Sequence, residues 1–356
     1  MRYIRFLKPP RVIVDKSTSK SQISCLITIT SDLGDSFLPY DLELAAELLS
    51  LHQTEEAVVW RTVQWKSGMR SLPVTFPLAK NLKAQKFRIR VGGEPKSTFD
   101  DYGKLSREAT CGVVSAWSQE FDPSAAAAAA KLVDRRFKLM DGCVIRISEE
   151  TGESIARHLW DAGITLSCHV SELLKRGSQL AEALLSNGRP TQLRILELGT
   201  GCGMVGLALA HLIQDADVLL TDLPEAQEIV EHNINQTKLA KGSTLKFQTL
   251  DWDDDLPQDL QSSCSPFDMV LAADCTYNPD SSPALVQTLR RLCKVSPQAR
   301  VAIAMKMRHL SEEVFFDLMA EADFMKITTL EYPLPGDVEI GEEAVFLHVY
   351  QYKPSM

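Results

Sequence analysis

Long hydrophobic runs are missing from this chain. Across 356 residues, no segment approaches the roughly 18 consecutive apolar residues that span a bilayer. The opening MRYIRFLKPP has no apolar core of the kind a secretory signal carries, so a cytoplasmic location and no membrane partner are expected. Basic charge is also in deficit, with 38 Lys and Arg against 47 Asp and Glu and a net charge of −9. Phosphate binding leans on clustered Lys and Arg, so nucleic acid is not expected as a partner. An acidic surface suits a basic protein instead. There is no C-x-x-C pair: Cys25, Cys111, Cys143, Cys168, Cys202, Cys264, Cys275 and Cys293 are scattered, several in apolar runs, which predicts reduced core thiols. His158, His169, His211, His232, His309 and His348 stand at no metal-ligand spacing, and no metal is expected. No nucleophile or triad pattern appears. With 45% hydrophobic and 24% charged residues, the chain reads as an ordinary globular protein of two domains.

The richest segment is RILELGTGCGMVGLALA, Arg194 to Ala210. An apolar strand with Glu197 near its end runs into Gly199, Thr200, Gly201 and Gly203, then into an alanine-rich helix. Glycine lets backbone turn tightly and approach a ligand, and a helix N-terminus offers unpaired N–H groups. That combination suits a nucleoside-bearing cofactor. Gly201, Gly203 and Gly206 also satisfy the G-x-G-x-x-G of dinucleotide-binding folds, so the loop alone leaves the cofactor open.

Downstream residues separate the readings. VLLTD ends a second strand at Asp222, where a carboxylate accepts hydrogen bonds from ribose hydroxyls in either case. LDWDDDL places Trp252 after Asp251, and FDMVLAADCTY ends a third strand at Asp274 and Tyr277, features a nicotinamide site does not ask for. Finally KITTLEY and AVFLHVYQY are joined through Leu334, Pro335 and Gly336 without a crossover helix, so they pair antiparallel. A parallel sheet closed by a reversed hairpin resembles the S-adenosylmethionine-dependent methyltransferases.

HLWDAGITL with Trp160, ELGTGCG, TDLPEAQEIVEHNI with Asp222 and Asn233, LDWDD with Trp252, and AADCTY together resemble one group in particular. They resemble the protein-lysine methyltransferases of the seven-β-strand superfamily, methyltransferase family 16, over roughly Leu139 to Tyr352. The resemblance implies an α/β fold with a seven-stranded Rossmann-like sheet, and the residues before it read as a smaller β-rich N-terminal domain. It implies S-adenosylmethionine held by Trp160, Glu197, Gly199, Thr200, Gly201, Asp222 and Trp252, with Ala273 lining the pocket. Asp274 and Tyr277 match the D-x-x-Y motif that faces the acceptor lysine. Cys202 between the glycines departs from the usual small residue but fits sterically. The substrate implied is a protein, such as a translation factor, ribosomal protein or chaperone, and a monomer is expected. The strand end DCTY lacks the paired prolines of adenine-N6 methyltransferases, and Pro279 comes too late.

Each residue also has a plainer reading. Trp160 fits a core tryptophan, Asp222 a helix cap before Pro224 to Gln236, Tyr277 a surface loop, and Asp253 to Asp255 a solvated loop. Two other functions stay open on the same fold: methylation of a small-molecule amine, or a catalytically silent scaffold.

Along the chain, RVIVD, CLITIT, AVVWRTVQW, LPVTFPL and KFRIRVG predict a β-rich domain over 1–122, with one helical patch, LELAAELLSLH. Ser124 before a six-alanine run predicts a connecting helix over 123–138. The remainder, 139–356, is the expected catalytic domain. It opens with a hairpin signal at Asp141-Gly142 and a helical stripe of Ile155, Leu159, Ala162, Leu166 and Val170 that begins at Ser154.

Overall fold

The structure, a computed structural model, describes residues 1–14, 20–78, 85–106, 110–125, 127–139, 142–150, 155–185, 188, 190–336, 338–340 and 343–354. The chain divides into two compact units. The first is Met1–Lys138, Gly142–His158 and Leu334–Glu343; the second is Leu139–Asp141, Leu159–Pro333 and Ala344–Met356.

The first unit is built from β-branched and aromatic runs. Ser21–Thr30 lies between Arg2–Val14 and Leu72–Pro77, antiparallel to both. A second sheet runs Val144–Glu150, Leu132–Lys138, Ala116–Ser118, Phe87–Gly92, Leu42–Ser50, Glu56–Trp65. Ile4, Ile27, Leu44, Trp65, Phe76, Phe87 and Ile89 share one core, and the Trp65 indole N–H donates to the Leu38 carbonyl at 3.0 Å.

Two sequence expectations fail in this unit. Leu42–Ser50 is a strand rather than a helix, paired with Glu56–Trp65 on one side and Phe87–Gly92 on the other. Ala, Leu and Glu favour the helix by only a few tenths of a kcal/mol per residue, roughly, against strand formers. A ladder on each side and burial of nearly every side chain outweigh that. Nor do residues 123–138 form a helix. Ser124 donates from its N–H and hydroxyl to the Asp122 carboxylate in a local turn, and Ala129 is buried with its N–H on the Pro10 carbonyl at 2.9 Å. Leu132–Lys138 then pairs antiparallel with Val144–Glu150. A run of six alanines is far below the ~12–15 residues at which an isolated helix becomes stable, so the sheet takes the segment. The expected boundary at 122/139 is therefore corrected: the first unit continues to His158, and a cut near Ser124 would sever its sheet. Asp141, Ser154 and Ala126 lie outside the described residues, while Gly142 in the hairpin has φ +93°.

In the second unit apolar strands and amphipathic helices alternate. The sheet order is Thr244–Thr249, Ala216–Asp222, Leu193–Leu198, Met269–Ala273, Arg300–Met305, Ala344–Tyr352, Phe324–Pro333. The first five strands are mutually parallel; Ala344–Tyr352 is antiparallel to both of its neighbours. The helices are α1 (Asp161–His169), α2 (Gln179–Leu184), α3 (Met204–Leu212), α4 (Gln227–Gln236), α5 (Ser282–Val295) and α6 (Val314–Glu321). The stripe expected from Ser154 is realised in pieces, with 3₁₀ turns at Ile155–Arg157 and Val170–Leu174 flanking α1. Five parallel strands end at one edge, so Gly199, Asp222, Trp252, Asp274 and the Lys306–Arg308 segment emerge on the same side of the sheet.

Gly206 shows how tightly α3 lies on that sheet. A Cβ there would stand 2.1 Å from Leu220 Cδ2 and 2.7 Å from a Glu197 carboxyl oxygen. Gly206→Ala gains about 1 kcal/mol of helix propensity, but overpacking a closed core costs about 1–3 kcal/mol, and the Glu197 contact is displaced as well. The variant's thermal midpoint is expected below wild type; an unchanged or raised midpoint would show that helix and sheet part without cost.

Candidate active site

The glycine turn takes its shape from three residues in the left-handed region: Gly199, Gly201 and Gly203 have φ of +60°, +57° and +86°. Its backbone is tied on several sides. Thr200 N–H donates to the Thr221 carbonyl at 3.0 Å, Gly201 N–H to an Asp222 carboxyl oxygen at 2.7 Å, and the Asn233 side-chain amide from α4 to the Cys202 carbonyl at 2.9 Å. The second Asp222 oxygen accepts from Leu223 N–H at 2.7 Å. Burial pushes the Asp222 carboxyl above its ordinary range, and these two N–H groups pull it back. Trp252 closes over the turn: a Cβ on Gly199 would meet Cys275 Sγ at 2.6 Å and the Trp252 ring at 3.1 Å. The Thr288 hydroxyl in α5 holds the Trp252 carbonyl at 3.2 Å. Ala273, half-buried, ends its strand beside Asp274.

Trp160, Tyr277 and Asp274 form a second group. The Trp160 and Tyr277 rings are parallel within 8°, with centroids 6.2 Å apart, and Tyr277 is 43% exposed. Asp274 does not share that exposure. It has φ +55° and its side chain is 1% exposed; its carboxyl accepts from Ala162 N–H in the first turn of α1 at 2.7 Å and from Arg308 Nη1 at 2.8 Å. The D-x-x-Y match implies that Asp274 and Tyr277 both face the acceptor lysine; in the structure Asp274 is turned inward, while Tyr277 meets solvent.

Glu197 is likewise turned away from the edge. It is 2% exposed and accepts from Gly206 N–H in α3 at 2.8 Å. Burial pushes its carboxyl up to about 8, against the pull of the Gly206 N–H, so it is largely protonated at neutral pH. The sequence reasoning missed Arg308, Lys306 and Asp161. Lys306 Nζ holds Asp161 at 2.9 Å, and Arg308 lies over the Trp160 ring, 5.7 Å from its centroid. Two cations directly after the apolar strand VAIAM were the available signal.

The Glu197 shift has a definite sign. Below about pH 4.5 the carboxyl is protonated in both folded and unfolded chains; between there and about 8 only the unfolded chain ionises, so stability falls as pH rises. Glu197→Gln removes that loss. The midpoint of the variant minus that of wild type is expected to climb from pH 4.5 to about 8 and level off above, by calorimetry of the cofactor-free protein. A difference independent of pH across that window would mean that Glu197 ionises in the folded chain as it does in water.

A family model described as lysine methyltransferase matches residues 139–322. A UPF0665 family protein of Schizosaccharomyces pombe is 27% identical over 88% of this chain and 91% of its own length. EEF1A lysine methyltransferase 3 of Xenopus tropicalis is 30% identical over 51% of this chain and 72% of its own. Among solved structures, a TehB-like SAM-dependent methyltransferase from Corynebacterium glutamicum aligns over 54% of this chain and 98% of its own, with a TM-score of 0.35 and 19% identity. With more than half of its residues inside the match, the chain belongs to the lysine methyltransferase family and is an enzyme that transfers methyl groups from S-adenosylmethionine to a lysine side chain of a protein.

Proposed function

We propose that the Gly199–Gly201 turn, Asp222, Trp252 and Ala273 hold S-adenosylmethionine, that the Trp160–Tyr277 pair marks where donor meets acceptor, and that the methylated protein is a translation elongation factor in the cytoplasm. The observation that carries the cofactor half is the Asp222 carboxylate on Gly201 N–H at 2.7 Å. That bond sets an acceptor of two hydroxyls at the mouth of a turn with no side chain in the way. Trp252 packs where a Gly199 Cβ would stand, which sets a flat aromatic face beside the turn on which an adenine ring can stack. Glu197 and Thr200 serve this site from beneath, as positioning residues that brace strand and loop.

S-adenosylmethionine, when bound, supplies a methyl carbon activated by its sulfonium for in-line displacement. The chain's own task is to present a neutral amine to it. With a lysine pKa near 10.4, freeing the amine at pH 7 costs about 4.6 kcal/mol. Burial pushes the Tyr277 phenol above its ordinary range, so at neutral pH it offers a π face and a hydroxyl rather than a base. Its exposure leaves water in reach to take the proton.

Proteins named EEF1A lysine methyltransferase 3 in Xenopus tropicalis and Mus musculus support an elongation factor as substrate. The family match begins at residue 139, and the β-rich unit, most of which lies before it, has a core of its own, which supports substrate selection as its role. No helix among the described residues is long and apolar enough to cross a membrane. The site draws on one chain, so a monomer suffices.

Cell lysate incubated with enzyme and methyl-labelled S-adenosylmethionine is expected to show a discrete protein band of elongation-factor size, with the label on lysine by mass spectrometry. Label in a different protein would replace the substrate assignment. For the cofactor, Asp222→Ala removes charge-assisted hydrogen bonds worth about 1.5–3 kcal/mol each. S-adenosylmethionine affinity by calorimetry is expected to fall about 10- to 150-fold, and the unfolding midpoint falls as well because Gly201 and Leu223 N–H lose their acceptor. Unchanged affinity would remove Asp222 from the site.

A further inference from the structure

We propose that Arg308 is a positioning residue for methyl transfer, its guanidinium neutralising the buried Asp274 carboxylate beside the acceptor site and fixing the Trp160 ring against Tyr277. This rests on the reading of Tyr277 as the acceptor side. Asp274 joins three parts of the second unit: the turn after Met269–Ala273, the first turn of α1 through Ala162 N–H, and the segment after Arg300–Met305 through Lys306 N–H at 3.4 Å and Arg308 Nη1 at 2.8 Å. Arg308 is itself 11% exposed in its side chain, and the same guanidinium that meets the carboxylate lies 5.7 Å from the Trp160 centroid. A charge is thus relayed to an aromatic pair through one planar group, which a point-charge ammonium does not reproduce. The 6.2 Å between the Trp160 and Tyr277 centroids is less than the roughly 7 Å that an alkyl chain sandwiched between two ring faces requires at ordinary contact distances. An arriving lysine therefore meets the outer side of the pair, and the orientation of that pair is what Arg308 controls.

The electrostatics give the arrangement its purpose. The Lys306 ammonium is 2.9 Å from Asp161, and burial holds Cys275 as a neutral thiol. Glu197 is mostly neutral near pH 7. The carboxyl groups of Asp161, Asp222, Asp274 and Glu312, the last accepting from Arg308 N–H at 3.0 Å, are set against the cations Lys306 and Arg308. An uncompensated carboxylate favours the ammonium form of a nearby lysine, the form that does not accept a methyl group. Arg308 removes that penalty at Asp274.

The test is the pH dependence of kcat at saturating S-adenosylmethionine and protein substrate, read as the pH at half the alkaline plateau. Arg308→Gln leaves Asp274 unbalanced and is expected to move that midpoint up by half a unit or more, with kcat at pH 7.5 at least tenfold lower. Asp274→Asn removes a buried carboxylate from beside the acceptor site and moves the midpoint down; asparagine accepts the φ of +55° at this position. The double variant returns towards the wild-type midpoint. S-adenosylmethionine affinity stays within about threefold throughout. Midpoints that do not move, or that move in the same direction, overturn the proposal, because a purely structural role lowers kcat without opposite shifts. If Arg308→Gln does not fold, the downward shift of Asp274→Asn decides alone. Tyr277→Ala separates the two levels: full kcat in that variant defeats the acceptor reading itself, whereas a low kcat with unmoved Arg308 and Asp274 midpoints defeats only the role of Arg308.

Discussion

A backbone that must reverse within five residues governs the catalytic unit. Gly199, Gly201 and Gly203 all take positive φ, a region that costs an ordinary side chain of order 1 kcal/mol. The strain-free turn lets α3 start directly over the strand it follows, near enough for Gly206 N–H to reach Glu197. It leaves Gly201 N–H aimed at Asp222 on the neighbouring strand. Trp252 and Cys275 then close in where Gly199 has no side chain. Position in this site is set by what the glycines omit as much as by what the other residues supply.

Three acids of the glycine-turn region, Glu197 and Asp274 buried and Asp222 partly so, each meet the cost of leaving water differently. Glu197 keeps its proton, since its environment holds an N–H but no cation. Asp222 is half-exposed, and two backbone N–H groups support it. Asp274 is matched by Arg308. An unpaired carboxylate so placed would cost several kcal/mol, so the three solutions are distinct devices with distinct consequences for charge near the reaction.

Much of the catalytic unit was legible in the sequence because its signals are local. Glycine spacing, a strand ending at Asp222, and a Pro/Gly connection too short for a crossover are each contained in a few residues. The turned-in Asp274 was not, because its direction is set by Ala162 and Arg308, over 100 positions before it and 34 after it. Spacing says that Asp274 and Tyr277 are close along the chain; it is silent on which of them another segment will claim. The Leu42–Ser50 strand was misread for a related reason. LELAAELLS is amphipathic only if Glu47 faces water, and here Glu47 is 1% exposed.

That glutamate shows why the β-rich unit is the harder half to read. Glu47 meets Arg90 at 3.2 Å, and Arg135 meets Glu149 at 2.6 Å, with every side chain at or below 2% exposure. Burial works against the Glu149 carboxylate, yet Arg135, His158 and Arg5 together outweigh it and hold the group far below the usual carboxylate range. Arg90 and Arg136 also lie against the Trp117 ring, 5.3 and 4.9 Å from its centroid. Charges inside a sheet scramble the alternation by which a strand announces itself, since a polar residue no longer marks the solvent face. Removing one partner leaves the other charge buried alone, a loss of about 3–5 kcal/mol. A strand slip of one residue would break such pairs as surely as a mutation does. The same charges that hide the strands from sequence patterning therefore hold them in register once they are folded.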